Sequence, residues 1–265
     1  MNSDRPGASI ASLLQLARTA ALEAGRAILE IYTSGDVGVA LKTDDSPLTR
    51  ADSAAHEIIS RHLETTGLPI LSEEGRHTDF EQREKWAQYW LVDPLDGTKE
   101  FLKRNGEFTI NIALMHHNKP VGGVIYAPVP GNLYVGSSET GVFKATDGNK
   151  TQLQPLPQRR TLEDLLEMPQ LTLIASRTHQ SPETAAFIQR FPGANTSSMG
   201  SSLKFMLLAE GKADLYPRFA PTMEWDTAAA HAILSALNRG IYQKDLQQEL
   251  VYNKPDLHNP DFIAF

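Results

Sequence analysis

The sequence contains no cysteine, only three tryptophans, and no uninterrupted apolar run long enough to cross a bilayer. Without thiols there is no disulfide framework, no thiolate nucleophile, no Cys-ligated zinc and no iron–sulfur centre, which leaves oxygen and imidazole as the available metal ligands. Basic residues are also in deficit, 25 Lys+Arg against 32 Asp+Glu for a net charge of −7. That balance argues against a nucleic-acid polymer or an anionic membrane surface as partner. The N-terminal stretch threads polar residues through its apolar positions and lacks the apolar core of a signal peptide, so the expectation is a cytoplasmic protein without a transmembrane segment. What the chain does have is 265 residues of which 41% are hydrophobic, enough for one or two domains with a sizeable core.

The acidity is concentrated. Residues 51–100 carry eleven acidic side chains against five basic ones, whereas residues 171–220 carry three against five. One region thus suits a cation and the other an anion.

Ile10, Leu13, Leu14, Ala17, Ala21, Ala24, Ile28 and Ile31 recur at helical spacing behind Ser9 as a possible N-cap, with Ser34-Gly35 as the stop. A second helix is expected from Thr49 to Leu63, since Thr49 and Asp52 have the capping-box spacing. Strand-like runs follow at 69–72, 89–92, 108–115, 121–126, 133–136 and 141–145, several joined by Asn/Gly/Pro turns that favour antiparallel hairpins. Thr146–Arg160 is polar with two prolines and is expected to be a linker. After it a strand at 171–175, helices from Pro182 to Arg190 and from Ser202 to Glu210, a strand at 213–216 and a helix at 226–237 alternate in an α/β pattern. The expected organisation is an N-terminal α+β domain over 1–155 and a C-terminal α/β domain over 156–265.

Five acidic residues stand where a strand or turn ends. Trp90-Leu91-Val92 runs into Asp93-Pro94-Leu95-Asp96-Gly97-Thr98, a turn that presents two carboxylates, a carbonyl and a hydroxyl together. Glu73 and Glu74 follow Ile70-Leu71-Ser72, and Asp226 opens an Ala-rich helix after Trp225. Mg²⁺ and Mn²⁺ are hard cations that take oxygen ligands and share phosphate oxygens, so carboxylates converging from separate elements suit a two-metal phosphoryl site. Taken singly, each also fits a structural role: Asp226 an N-cap, Asp52 the third residue of its capping box, Glu73-Glu74 a solvated turn, Asp93 and Asp96 an Asx turn.

At these residues the sequence resembles the lithium-sensitive, magnesium-dependent phosphatase superfamily that includes inositol monophosphatase. Leu71-Ser72-Glu73-Glu74, Trp90 through Thr98, and Trp225-Asp226-Thr227-Ala228-Ala229 appear in the family's order. Within it the chain is most similar to the CysQ-type 3′(2′),5′-bisphosphate nucleotidases, through Asp93 to Phe101, Arg104 to Thr109, Gly200-Ser201-Ser202-Leu203-Lys204-Phe205, and Leu215 to Phe219. The resemblance implies a layered α-β-α-β-α fold with the site at the domain junction. It implies two or three Mg²⁺ ions, replaceable by Mn²⁺, on Glu73, Asp93, the Leu95 carbonyl, Asp96 and Asp226. Asp52, Glu73 and Thr98 would then orient and deprotonate the water. Gly97, Thr98, His179, Ser201, Ser202, Lys204, Arg218 and Asp226 would face the substrate.

The function these features imply is hydrolysis of the 3′-phosphate of adenosine 3′,5′-bisphosphate, with its sulfated relative as a second substrate, by a monomer or homodimer. Peripheral attachment to the inner membrane has been proposed for the family, but no basic amphipathic face supports it here. Three alternatives stay open on the residues: inositol monophosphatase or fructose bisphosphatase activity on the same metal core, a haloacid-dehalogenase-like aspartyl phosphatase, and a non-catalytic metal or nucleotide module. The two residues between Asp93 and Asp96 break the Asp-x-Asp spacing of the dehalogenase-like enzymes.

Overall fold

The computed structural model describes residues 8–34, 38, 40–41, 47–175 and 181–265. Helix α1 (Ile10–Ser34) begins behind Ser9, whose hydroxyl accepts the Ser12 amide at 3.2 Å. It buries Leu13, Leu14, Ala17, Ala21, Ala24 and Ile28, the face its periodicity predicts. Gly35 lies outside the described residues. A two-residue antiparallel pair, β1 (Ala40–Leu41) and β2 (Pro47–Leu48), leads into α2 (Arg50–Glu64). Thr49 and Asp52 form a complete capping box at its start.

A seven-stranded sheet follows in simple sequence order: β3 (Ile70–Ser72), then the short helix α3 (Phe80–Arg83), β4 (Gln88–Asp96), the short helix α4 (Thr98–Leu102), β5 (Thr109–His116), β6 (Lys119–Ala127), β7 (Asn132–Ser137), β8 (Gly141–Thr146) and β9 (Asn149–Leu153). All neighbours are antiparallel except β3 and β4, which run parallel because α3 and its flanking loops return the chain to the starting end. The expected linker at 146–160 is therefore partly sheet. Asn149–Leu153 forms the polar edge strand, its side chains mostly exposed, a composition that blunts edge pairing.

Beyond the sheet come α5 (Leu162–Leu166), β10 (Thr172–Ile174), α6 (Pro182–Ile188), β11 (Asn195–Ser197), α7 (Leu203–Ala209), β12 (Tyr216–Arg218), α8 (Glu224–Ala236), β13 (Ile241–Gln243) and β14 (Phe262–Ala264). β10 and β11 are parallel around α6; β12, β14 and β13 are antiparallel; a parallel bridge from Leu173 to Leu215 joins the two groups. The strand expected at 213–216 is displaced to Tyr216–Arg218, because Asp214 and Leu215 bond the backbone of β10 instead.

Period-two alternation sorts these strands between three cores. On β4 and β5, Trp90, Val92, Ile110, Ile112 and Leu114 pack with α1 and α2, while Tyr89, Leu91, Ala113 and Met115 pack with α7 and α8. On the second sheet, Phe262 and Ala264 join the α8 core, whereas Ile263 and Phe265 face the third core with Leu162, Leu165 and Phe187 of α5 and α6. The layers are thus α-β-α-β-α. Helix α8 lies so close to β6 that a Cβ on Gly123 would stand 2.2 Å from the Ala229 carbonyl oxygen, which only glycine tolerates.

Candidate metal and phosphate site

Asp93 and Asp96 are three residues apart, so an unbroken strand would send them to opposite faces. They share one because the register between β4 and β5 slips: Asp93 pairs with Asn111 but Asp96 pairs with Thr109. This bulge at Pro94-Leu95 inserts one residue and reverses the alternation. Leu95 consequently joins the α1–α2 core, and Asp96 returns to the face of Asp93, toward α8.

Gly97 then adopts φ 97° and starts α4. Its left-handed turn is open to glycine at little cost, and a Cβ there would crowd the Glu107 carbonyl oxygen at 3.2 Å and Ser201 Cβ at 3.3 Å. Asp226 enters from the first turn of α8, where its Oδ2 accepts the Met223 amide at 2.8 Å. The helix begins two residues earlier than expected, so Met223 and not Asp226 is its N-cap; Asp226, the third helical residue, bonds back to the N-cap amide and faces the site at once. Carboxylate oxygens of Asp93, Asp96 and Asp226 all lie within 4.8 Å of one another.

Glu73, at the end of β3, and the Leu95 backbone border the same cavity of about 400 Å³, together with Gly97 and Thr98. Burial pushes the carboxyl of Asp93 well above the usual carboxylate range, reinforced by the negative charges of Glu73, Asp96 and Asp226. Burial followed by repulsion from Asp96 does the same to Asp226. An all-oxygen donor set whose members repel one another fits a hard divalent cation.

Asp52 combines both of its sequence-level readings. Its Oδ2 accepts the Thr49 amide at 2.8 Å as part of the capping box, while its Oδ1 accepts the Thr98 hydroxyl at 3.1 Å. Burial raises its pKa, opposed by the hydrogen bonds from Thr49 and Thr98.

Behind the carboxylates lies a buried polar network that sequence reasoning missed. Asn111 Nδ2 donates to Ser202 Oγ at 2.8 Å and reaches Asp96 Oδ2 at 3.3 Å. Ser202 donates its amide to Asp96 Oδ2 at 2.6 Å, and its hydroxyl lies 2.8 Å from that oxygen and 2.9 Å from the Asp226 carbonyl. The available signal was one asparagine inside the apolar run of β5, on the side of Ala113 and Met115. A buried amide there requires polar partners.

A second cavity of about 430 Å³ opens beside the first and shares Asp96, Gly97 and Asp226 with it. Lys204 and Arg218 border it, as do Ser201 and Ser202. Lys204 Nζ donates to the Ser201 carbonyl at 3.3 Å. Arg218 Nη2 donates to the Pro221 carbonyl at 3.3 Å, and its Nε is buried without a hydrogen-bond partner. Ser201 holds φ 45°, an uncommon conformation for a residue with a side chain, at the cavity wall. His179 lies outside the described residues.

The fold and this carboxylate geometry agree with a match to the inositol monophosphatase family model over residues 9–261, and the chain belongs to that family. The family is metal-dependent, and the Asp93, Asp96 and Asp226 cluster is where the chain could hold such an ion. The chain is 46% identical over 231 residues to the Escherichia coli K12 protein named 3′(2′),5′-bisphosphate nucleotidase CysQ, covering 86% of this chain and 87% of that one. The Salmonella typhimurium protein of the same name is 45% identical over 253 residues, covering 94% and 96%. Among solved structures, CysQ from Bacteroides thetaiotaomicron superposes with a TM-score of 0.82 at 45% identity, covering 96% of this chain and 97% of that one. Among the described residues, no helix is long and apolar enough to cross a membrane.

Proposed function

We propose that this protein is a magnesium-dependent 3′(2′),5′-bisphosphate nucleotidase that hydrolyses the 3′-phosphate of adenosine 3′,5′-bisphosphate to AMP and phosphate, and accepts the sulfated relative of that nucleotide. The observation that carries the proposal is the convergence of Asp93, Asp96 and Asp226 at the junction of two cavities, the second bordered by Lys204 and Arg218. One cavity suits a cation and the other a second anionic group. Arg218, with a buried Nε that lacks a partner, is suited to meet that group.

Glu73, Asp93, the Leu95 carbonyl, Asp96 and Asp226 would hold two or three Mg²⁺ ions, with Mn²⁺ able to substitute. Bound there, the ions supply a lowered water pKa and offset the charge that develops on the phosphoryl oxygens. The chain's residues supply the orientation. The Thr98 hydroxyl, which donates to Asp52, and the Glu73 carboxylate direct the attacking water, whose proton passes to Glu73 or, through the Thr98 oxygen, to Asp52. The N–H groups of Gly97 and Thr98 receive the scissile phosphate. As the new O–P bond forms, the P–O3′ bond breaks in line, and the departing 3′-oxygen takes a proton from a water beside Asp226. Lys204 and Arg218 meet the 5′-phosphate, and Ser201 and Ser202 border the nucleotide.

The test is phosphate release from adenosine 3′,5′-bisphosphate, inositol 1-phosphate and fructose 1,6-bisphosphate, each with Mg²⁺ and with or without Li⁺. The expected result is selective, lithium-inhibited release from the nucleotide. Preference for inositol phosphate would shift the assignment within the family. A trapped aspartyl phosphate would overturn the mechanism, and absence of release from every substrate would leave a binding module.

A further inference from the structure

The segment after α8 returns to clamp the N-terminus of that helix, the turn from which Asp226 projects. The Glu224 amide donates to the Leu257 carbonyl at 2.9 Å, Met223 and His258 form an antiparallel bridge, and the Asn259 amide donates to the Thr222 carbonyl at 2.9 Å. The side chain of Asn259 then brackets Asp226 in sequence. Its Nδ2 lies 2.7 Å from the Met223 carbonyl oxygen on one side and 3.1 Å from Thr227 Oγ1 on the other.

Both contacts bear on the Asp226 carboxylate. The Met223 carbonyl that Asn259 Nδ2 engages also accepts the Asp226 amide at 3.1 Å, and the Thr222 carbonyl that the Asn259 backbone amide engages belongs to the same peptide unit as the Met223 N–H that donates to Asp226 Oδ2. Thr227 follows Asp226 directly, and its hydroxyl donates to the Glu224 carbonyl at 3.2 Å. Its two lone pairs are taken by Asn259 Nδ2 and by the Tyr252 hydroxyl at 3.2 Å. Asn259 Oδ1 is buried and accepts no hydrogen bond, so the amide acts through its donors. Asn259 itself is 9% exposed and Tyr252 is 1% exposed, which excludes solvent as a competing partner.

We propose that Asn259, supported by Tyr252, is a positioning residue for Asp226: its amide fixes the first turn of α8 so that the Asp226 carboxylate meets the cation in one orientation. Groups bonded directly to a metal ligand change metal affinity by about 10–100-fold when lost; Asn259 acts one residue further out, through Met223 and Thr227, so the lower end of that range, about tenfold, is expected here. The inference rests on the assignment of Asp226 as a cation ligand made above.

The test uses the full chain and the variants Asn259→Leu, Asn259→Ser and Tyr252→Phe. Thermal unfolding is followed in chelator and across a Mg²⁺ titration, alongside phosphate release from adenosine 3′,5′-bisphosphate. Asn259→Leu is expected to raise the Mg²⁺ concentration for half-maximal thermal stabilisation about tenfold, with nucleotide KM at saturating Mg²⁺ unchanged. Asn259→Ser, whose hydroxyl retains one donor, should restore part of that response, and Tyr252→Phe should shift it in the same direction by a smaller factor.

Asn259→Leu and Tyr252→Phe that lower Tm in chelator but keep the wild-type Mg²⁺ half-saturation would overturn the positioning role and leave a purely structural one. A wild-type protein showing neither Mg²⁺-dependent stabilisation nor phosphate release would instead overturn the assignment of Asp226. If Asn259→Leu does not fold, Tyr252→Phe alone decides, because it removes one oxygen and keeps the ring.

Discussion

The amide nitrogen of Ser202 lies 2.6 Å from Asp96 Oδ2, and the Ser202 hydroxyl lies 2.8 Å from the same oxygen. The amide fixes this carboxylate oxygen, and the single hydroxyl hydrogen is shared between it and the Asp226 carbonyl. The hydroxyl also reaches the Asp226 carbonyl, so Ser202 ties the acid of β4 to the helix that bears the acid of α8.

Ser202→Ala is therefore expected to weaken Mg²⁺ dependence about tenfold, and to lower kcat at limiting Mg²⁺ more than it alters nucleotide KM. It should also cost about 1–3 kcal/mol of stability, because Asn111 Nδ2 loses an acceptor in a buried position. A Mg²⁺ titration of activity together with thermal unfolding checks both effects. A rise in nucleotide KM at unchanged Mg²⁺ response would leave Ser202 its place beside the nucleotide and remove its role in orienting Asp96.

Asp93→Asn should abolish turnover and raise the stability of the metal-free protein. Burial and the charges of Glu73, Asp96 and Asp226 all disfavour the Asp93 carboxylate, so replacing it with a neutral amide relieves repulsion. A gain of about 1–2 kcal/mol in chelator corresponds to a Tm higher by a few degrees, while the gain on adding Mg²⁺ should largely vanish. Calorimetry with and without Mg²⁺ measures both. A metal-free variant less stable than wild type would contradict the electrostatic account.

Glu249 supplies a pH-dependent increment of stability. Its interaction with His231 and then the charge of Arg159 lower its pKa from the usual 4.5 to about 2. A depressed carboxyl pKa stabilises the fold above 4.5, and the increment is lost as pH falls toward 2. Because Glu249 is 34% exposed and solvent screens the pair, the increment is at most about 1 kcal/mol. Glu249→Gln should accordingly be less stable than wild type at neutral pH, with the two curves converging in acid. Denaturant unfolding at pH 7, 4.5 and about 2.5 tests this.

Gly123→Ala should disrupt the contact between β6 and α8. The added methyl would sit 2.2 Å from the Ala229 carbonyl oxygen, a backbone atom that moves only with its helix. Overpacking of this kind costs about 1–3 kcal/mol or more. Since α8 carries Asp226, the variant should also lose Mg²⁺-induced stabilisation. Thermal scans in chelator and in Mg²⁺ separate the two losses, and an unchanged Tm in chelator would show that the helix shifts freely.

How far the sequence reached depends on the range of the forces that each feature expresses. The periodicity of α1, the capping box of α2 and the hairpin strands are local patterns, and each was legible before folding. The strand at 149–153 was not, because a polar edge strand has no buried face to give it an apolar alternation. The displacement of β12 was also hidden, since residues 214 and 215 are claimed by a backbone partner some forty positions away.

By itself the sequence determined the chemistry of this protein: an all-oxygen ligand set, an acidic stretch from Asp52 to Asp96, a basic stretch holding Lys204 and Arg218, and the motif order shared with the inositol monophosphatase family. Tertiary structure decided which of those groups meet. The bulge at Pro94-Leu95 brings Asp96 to the face of Asp93, Ser202 and Asn111 lock it there, and Asn259 fixes the turn bearing Asp226. Spacing along a chain specifies residue types and local turns. The angle at which three like charges are held together is set by packing and by hydrogen bonds between elements far apart in sequence.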